Sequence, residues 1–272
     1  MNLQDKTIAF IGAGNMGEAL IRGLLATRTV APSQIIATDA RAERREFFAR
    51  TFGMRAIGDN LQAAQAADII VLAVKPQQVG DVLAGIKSGA SNRKLVISIA
   101  AGVTTARIER ELGKGTRVVR AMPNTPALVG AGAAAIANGS QATEDDLAAA
   151  ESILGAVGIC VRVEEKLIDA VTALSGSGPA YVFYVTEAMI QAGLAAGLDK
   201  ALAQKLAIQT VFGAAKLLVE SGEKPESLRR KVTSPAGTTE AALNVMTKRK
   251  LAEIFSEAMS AAEKRSRELS GS

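Results

Sequence analysis

Gly12, Gly14 and Gly17 follow directly on the apolar run Ile8–Ile11, and a helical apolar pattern through Met16, Leu20, Ile21, Leu24 and Leu25 begins among them. A strand that breaks into Gly-x-Gly-x-x-Gly and then a helix suits the pyrophosphate of a dinucleotide. The first glycine permits the tight turn, the second lets backbone approach the phosphates, and the third brings helix and sheet together. The helix N-terminus adds free N–H groups and a partial positive charge. A Gly-rich turn in an α/β domain without a nucleotide would share the glycines, but the placement between strand and helix favours the dinucleotide. Ala13, Asn15 and Met16 complete the expected contacts of this stretch.

Asp39 ends a second apolar run, 34–38, and lies 22 positions after Gly17 (39 − 17). An acid at that place holds the adenosine ribose, although it also suits the cap of a helix over Ala42–Phe52. Arg41, Arg44 and Arg45 follow, where a cofactor 2′-phosphate would be within their reach; a solvated helix face is the alternative. Both NADPH (NADP) and NADH (NAD) are therefore expected to work. Asp59 or Asn60 caps the next short helix, and Asn60 is counted with the cofactor contacts. The run 68–74 is apolar throughout, as in a strand buried on both faces, and it carries Ala73 and Val74 into Lys75 and Pro76. The run 95–99 ends at Ala100, Ala101 and Gly102, small residues that let a flat ring lie against the backbone. Asn124 sits in Met122-Pro123-Asn124-Thr125-Pro126, a loop that two prolines make rigid.

What the chain lacks is equally informative. It has no histidine, which removes the commonest general acid–base and the commonest metal ligand together. Reduction of a ketone by a histidine proton donor is excluded. The lone Cys160 excludes an internal disulfide and a cysteine-clustered zinc site, so no metal is expected and a reducing cytoplasm fits. The N-terminus shows no basic segment followed by a secretory apolar stretch. A net charge of +5, without basic residues interleaved with aromatics, favours anionic small ligands over nucleic acid.

At 272 residues, two domains are expected. Strands are read at 54–57, 117–121, 133–137 and 159–163, with a helix over 144–154. From residue 164 onward no strand pattern occurs. The expected division is therefore 1–163, a dinucleotide-binding domain, and 164–272, a helical substrate-binding and dimerisation domain. Residues 179–198 and 201–219 are apolar almost all round, so these helices must be covered on every side. A membrane span would be long enough, but Glu187 at its middle would cost roughly 2.5–3.5 kcal/mol. A partner subunit is the expected cover, giving an obligate homodimer or a multiple of it. Residues 248–269 read as a last, charged amphipathic helix.

Three further stretches carry a family resemblance: Met122-Pro123-Asn124-Thr125-Pro126, Leu174-Ser175-Gly176-Ser177-Gly178-Pro179-Ala180-Tyr181, and Val232-Thr233-Ser234-Pro235-Ala236-Gly237-Thr238-Thr239. Together with Gly12–Gly17 and Ala73-Val74-Lys75-Pro76 they resemble the pyrroline-5-carboxylate reductases over nearly the whole length. The resemblance implies an α/β fold, with an N-terminal Rossmann-like doubly wound sheet followed by an all-α dimerisation domain that interlocks with its twin. Dimers of that family assemble further, commonly to decamers. It implies hydride transfer from NAD(P)H to the cyclic imine 1-pyrroline-5-carboxylate, giving L-proline. An imine nitrogen is basic enough to arrive protonated, so position and electrostatics matter more than a strong acid.

The family loop Ser-Pro-Gly-Gly-Thr stands here as Ser234-Pro235-Ala236-Gly237-Thr238, with Ala in place of the first Gly. A Gly turn and a Thr pair opening a helix make a cradle of N–H groups for the substrate carboxylate, so Ser234, Gly237, Thr238 and Thr239 are the substrate-binding candidates. By the resemblance Thr239 lies near the substrate nitrogen and is the catalytic candidate. On residue type alone, the two threonines could be helix caps. The resemblance also places Glu165 and Lys231 near the cofactor, reached from the neighbouring subunit; both could equally be solvated. A β-hydroxyacid dehydrogenase is the nearest rival, but its Gly-x-Gly-x-x-x-Lys pattern meets Val182 where the Lys belongs. A non-catalytic NAD(P) sensor is the other, and the rigid 122–126 loop argues against it.

Overall fold

A computed structural model describes residues 3–91 and 93–270. Eight strands form one sheet in the order β3-β2-β1-β4-β5-β6-β7-β8. They are β1 (Ile8–Ile11), β2 (Ile35–Thr38), β3 (Arg55–Ile57), β4 (Ile69–Leu72), β5 (Leu95–Ser98), β6 (Arg117–Met122), β7 (Gly132–Asn138) and β8 (Gly158–Arg162). All neighbours pair in parallel except β6 with β7. The central strands are short apolar runs because both faces are covered. Ile8 and Phe10 of β1 enter one core, and Ala9 and Ile11 enter the other. The first core is closed by α1 (Asn15–Ala26), α2 (Ala42–Phe52) and α6 (Glu144–Gly155), through Leu20, Leu24, Phe48 and Ile153. The second is closed by α3 (Asn60–Ala66), α4 (Val79–Ile86) and α5 (Thr105–Leu112), through Ala63, Leu83 and Ile108.

This is the Rossmann-like doubly wound sheet. β1 pairs with β2 on one side and β4 on the other, in register Ile11 with Thr38 and Ile11 with Leu72. The chain order reverses there, and such a switch point opens a crevice beyond the carboxyl ends of the strands.

Packing divides the chain into a unit of residues 1–177 with 262–272 and a unit of residues 178–261. The division differs from the one expected at 163/164, and the reason is a small third cluster. Ile168, on the short helix α7 (Ile168–Val171), is buried with Ala135 and Ala137 of β7. The change in pattern after residue 163 therefore marks the end of the strands, while the chain stays with the sheet unit through the irregular helical stretch 165–176.

The second unit contains α8 (Gly178–Ala195), α9 (Lys200–Ser221), α10 (Pro225–Lys231), α11 (Thr238–Lys248) and the first part of α12 (Leu251–Ser270). Among its described residues only Ala203 and Ala207 are buried. Phe183 is 61% exposed and Phe212 is 59% exposed. By length and composition α9 could cross a membrane, though only 11% of its apolar window is buried within the chain. The helix expected over 248–269 is α12, which starts three residues later, at Leu251, after Lys250 with φ +56°.

Candidate active site

The crevice at the switch point is built by three glycines that do different work. Gly12 donates its N–H to the Thr38 carbonyl at 3.1 Å and holds φ +102°. A Cβ there would stand 2.8 Å from the Ala73 carbonyl oxygen, so the β1 and β4 ends could not come this close with any other residue. At Gly17 a Cβ would stand 2.6 Å from the Gly12 carbonyl oxygen, which fixes α1 tightly on the turn. Gly14 meets nothing within 4 Å on its open side. It caps α1 with no side-chain hydrogen bond, so the first-turn N–H groups are left to a ligand. A chain of phosphates fits this arrangement.

Two adjoining clefts share Gly14, Arg41, Ala73, Val74 and Lys75. One runs to Gly12, Thr38, Asp39 and Asn60. Thr38 is buried and donates to Asn60 Oδ1 at 2.6 Å, which joins the end of β2 to the start of α3. Asp59, not Asn60, caps α3, accepting from the Gln62 N–H. The other cleft runs past Asn15 and Met16 to Ile99, Ala101, Met122 and Pro123. The furrow thus leads from an acid at one end to a flat, mostly apolar end at the other, with the glycine turn between them. That is the length-wise order of adenosine, pyrophosphate and nicotinamide.

Asp39 and Arg41 are bound to each other. Arg41 Nε donates to Asp39 Oδ1 at 2.9 Å, Nη2 donates to Oδ2 at 3.0 Å, and the Arg41 N–H donates to Oδ1 at 3.0 Å. Burial pushes the Asp39 carboxyl up, but the Arg41 hydrogen bonds outweigh it and hold the carboxyl below its ordinary value. The other two arginines are engaged with the chain itself. Arg44 donates twice to the Ala13 carbonyl, at 3.0 and 2.7 Å, and once to Glu18 at 2.8 Å. Arg45 Nη1 donates to the Asp39 and Ala40 carbonyls at 2.8 Å each. Of the three, only Arg41 lines the cleft.

Several expected contacts lie behind the cleft rather than along it. Ala13 and Ala100 are buried, and Pro76 opens a single 3-10 turn before α4. Asn124 donates from Nδ2 to the Ser175 carbonyl at 3.0 Å and accepts the Ala133 N–H at 2.9 Å, so its side chain fastens the proline loop to its neighbours. Glu165 is partly exposed and is engaged within its own chain. Its carboxylate accepts Thr105 N–H at 2.8 Å, Thr105 Oγ1 at 2.5 Å and Arg120 Nη1 at 3.2 Å. Arg120 is buried in β6, and a charge inside an apolar strand was the available signal that an acid must meet it. Lys231 holds both Glu223 oxygens at 2.7 Å. Thr38, Ile99, Met122 and Pro123 line the cleft without having been singled out as contacts.

The Ser234–Thr239 loop belongs to the second unit. Gly237 is the cap of α11, and Thr238 and Thr239 occupy its first two helical positions. The threonines are therefore not caps, and their hydroxyls are not spent on the helix end. Gly237 donates to the Ser234 carbonyl at 3.0 Å, and a Cβ at Gly237 would collide with Ser234 Oγ. Ala236 takes φ +56°, a left-handed conformation that costs a non-glycine residue about 1 kcal/mol. Glu240 Oε2 accepts the Ala236 N–H at 2.8 Å and holds it there.

Comparison with known proteins agrees with both halves. The family described as pyrroline-5-carboxylate reductase dimerisation matches residues 165–269. The family described as NADP oxidoreductase coenzyme F420-dependent matches residues 7–102. A pyrroline-5-carboxylate reductase of a Synechocystis species is 47% identical, over 96% of this chain and 97% of that protein. One of Arabidopsis thaliana is 41% identical, over 97% and 96%. The solved pyrroline-5-carboxylate reductase of Coxiella burnetii has a TM-score of 0.93 at 43% identity, covering 97% of this chain and 98% of its own. That of Plasmodium falciparum, solved with NADP bound, has a TM-score of 0.86 at 30% identity, covering 98% and 99%. With likeness of this degree along both the dinucleotide crevice and the helical segment, the chain belongs to the pyrroline-5-carboxylate reductase family.

Proposed function

We propose that the protein reduces 1-pyrroline-5-carboxylate to L-proline with NADPH or NADH, the last step of proline synthesis. The observation that carries this reading is the 47% identity over 96% of the chain, which takes in the glycine turn and the Ser234–Thr239 loop alike. The dinucleotide lies along the crevice, its ribose at Asp39 and Arg41 and its phosphates at the Gly12–Gly17 turn and the α1 N-terminus. When bound, the reduced nicotinamide supplies the hydride.

The chain's own residues do the rest by position. N–H groups at the start of α11, with Ser234 and Gly237 shaping the turn, hold the substrate carboxylate. The Thr239 hydroxyl meets the ring nitrogen, where charge changes as the iminium becomes an amine, and such a contact acts on turnover more than on binding. A substrate that arrives protonated needs no histidine.

Residues 164–272 serve as the substrate-binding and dimerisation domain. The protein is a homo-oligomer, a dimer with interlocked helices in which a second copy covers α8 and α9, and five dimers join as a decamer. It works in the cytoplasm, without nucleic acid or membrane. The test is purified protein with 1-pyrroline-5-carboxylate and each reduced cofactor, following cofactor oxidation and proline formation. Cofactor binding without turnover would indicate a sensor. Turnover of a β-hydroxyacid in place of the imine would indicate the dehydrogenase.

A further inference from the structure

We infer that Asp169 and Ser266 are positioning residues for the nicotinamide end of the cleft, acting through the chain's last helix. The adenosine end is marked by Asp39 and the phosphate turn by Gly14, so Ile99, Ala101 and Met122 mark the remaining end. The loop that carries Ala101 turns at Gly102, with φ +70°. Its outer side is closed by the end of α12. A Cβ at Gly102 would stand 3.1 Å from the Leu269 carbonyl oxygen and 3.4 Å from Leu269 Cβ.

What keeps residue 269 there is a polar bond one turn earlier. Ser266 Oγ donates to Asp169 Oδ1 at 2.6 Å, with Ser266 6% and Asp169 7% exposed. Ser266 is the buried residue of α12. An amphipathic helix that buries a serine in place of an apolar residue is docked in one register, because a shift would strand the hydroxyl and the carboxylate. The loop's far end is held separately, at Thr105 by Glu165. Glu165 and Leu269 are the first and last residues matched by the dimerisation family. The segment that dimerises is thus tied at both ends to the loop beside the nicotinamide.

The proposal rests on the dinucleotide reading of the cleft. Titrate the full-length oligomer with NADPH and, separately, with 2′,5′-ADP, which carries only the adenosine half. Ser266→Ala and Asp169→Ala are expected to weaken NADPH about tenfold, the scale of one lost buried hydrogen bond, and to leave 2′,5′-ADP unchanged. The double variant should be no worse than either single one, and Asp169→Asn, which keeps an acceptor oxygen, should restore binding. Gly102→Ala attacks the same contact from the loop side and serves if the Asp169 variant does not fold. Equal weakening of both ligands, or of neither, overturns the proposal. Wild-type protein that binds neither ligand overturns the dinucleotide reading itself.

Discussion

The sheet unit and the helices between residues 178 and 261 draw on similar apolar residue types and spend them in opposite ways. In the sheet unit, Phe10, Ile11, Leu20 and Leu72 have no exposed surface. In the helices, Phe183, Tyr184, Leu206 and Phe212 face outward. Large apolar side chains left exposed in such number mark an interaction surface. The first region buries these residues within its own chain; the second leaves them uncovered by its own chain, and the dimerisation family that matches residues 165–269 supports a homo-oligomer.

Two substitutions break that comparison most sharply. Phe10→Ala should lower unfolding free energy by about 3–5 kcal/mol, by an amount independent of protein concentration. Phe212→Arg should cost about 2–4 kcal/mol of assembly and make the thermal midpoint strongly concentration-dependent. Sedimentation and thermal melts over a range of concentrations separate the two. Equal behaviour of both variants would mean that the helices have a closed core of their own.

Next in size is Thr239→Val. Turnover on the imine is expected to fall about 100-fold, the scale of one lost transition-state hydrogen bond, with cofactor affinity unchanged. Steady-state kinetics read both quantities, and an unchanged kcat would remove Thr239 from the chemistry.

A smaller effect belongs to the cofactor end, on the sheet side alone. Asp39→Ser frees Arg41 from its carboxylate and removes a charge that repels a 2′-phosphate. The ratio of NADPH to NADH efficiency should rise about tenfold, for about 1.4 kcal/mol. Arg41→Ala should move it the other way. A ratio that ignores both changes would show that the pair does not read the ribose.

The smallest effect tests whether the sheet unit is closed at its last strand. Burial, with Glu151 adding to it, pushes the Cys160 thiol up to about 11. Little thiolate exists near neutral pH, so a disulfide reagent should label native protein far more slowly than unfolded protein. Labelling at the unfolded rate would mean that β8 is open.

Legibility in the sequence follows the same contrast. Strands β1 and β2 and helix α2 could be read because short apolar runs and turn residues are local signals. The run 68–74 was read as strand throughout, yet the strand stops at Leu72 and Ala73 to Lys75 turn into the cleft. Contacts made across the chain were not legible. Arg44 shows its charge in the sequence but not the Ala13 carbonyl that occupies it. Ser266 and Asp169 are 97 positions apart, and nothing local announces their bond. The start of α12 falls three residues after the expected 248, because lysine in a left-handed conformation at Lys250 carries no turn signature.

The central claim is that the protein reduces a cyclic imine with a reduced nicotinamide. The most direct measurement follows NADPH oxidation and L-proline formation together, with purified oligomer and 1-pyrroline-5-carboxylate. One proline for each NADPH oxidised, with about 100-fold slower turnover in Thr239→Val, is the predicted result. Tight NADPH binding without proline formation would contradict it.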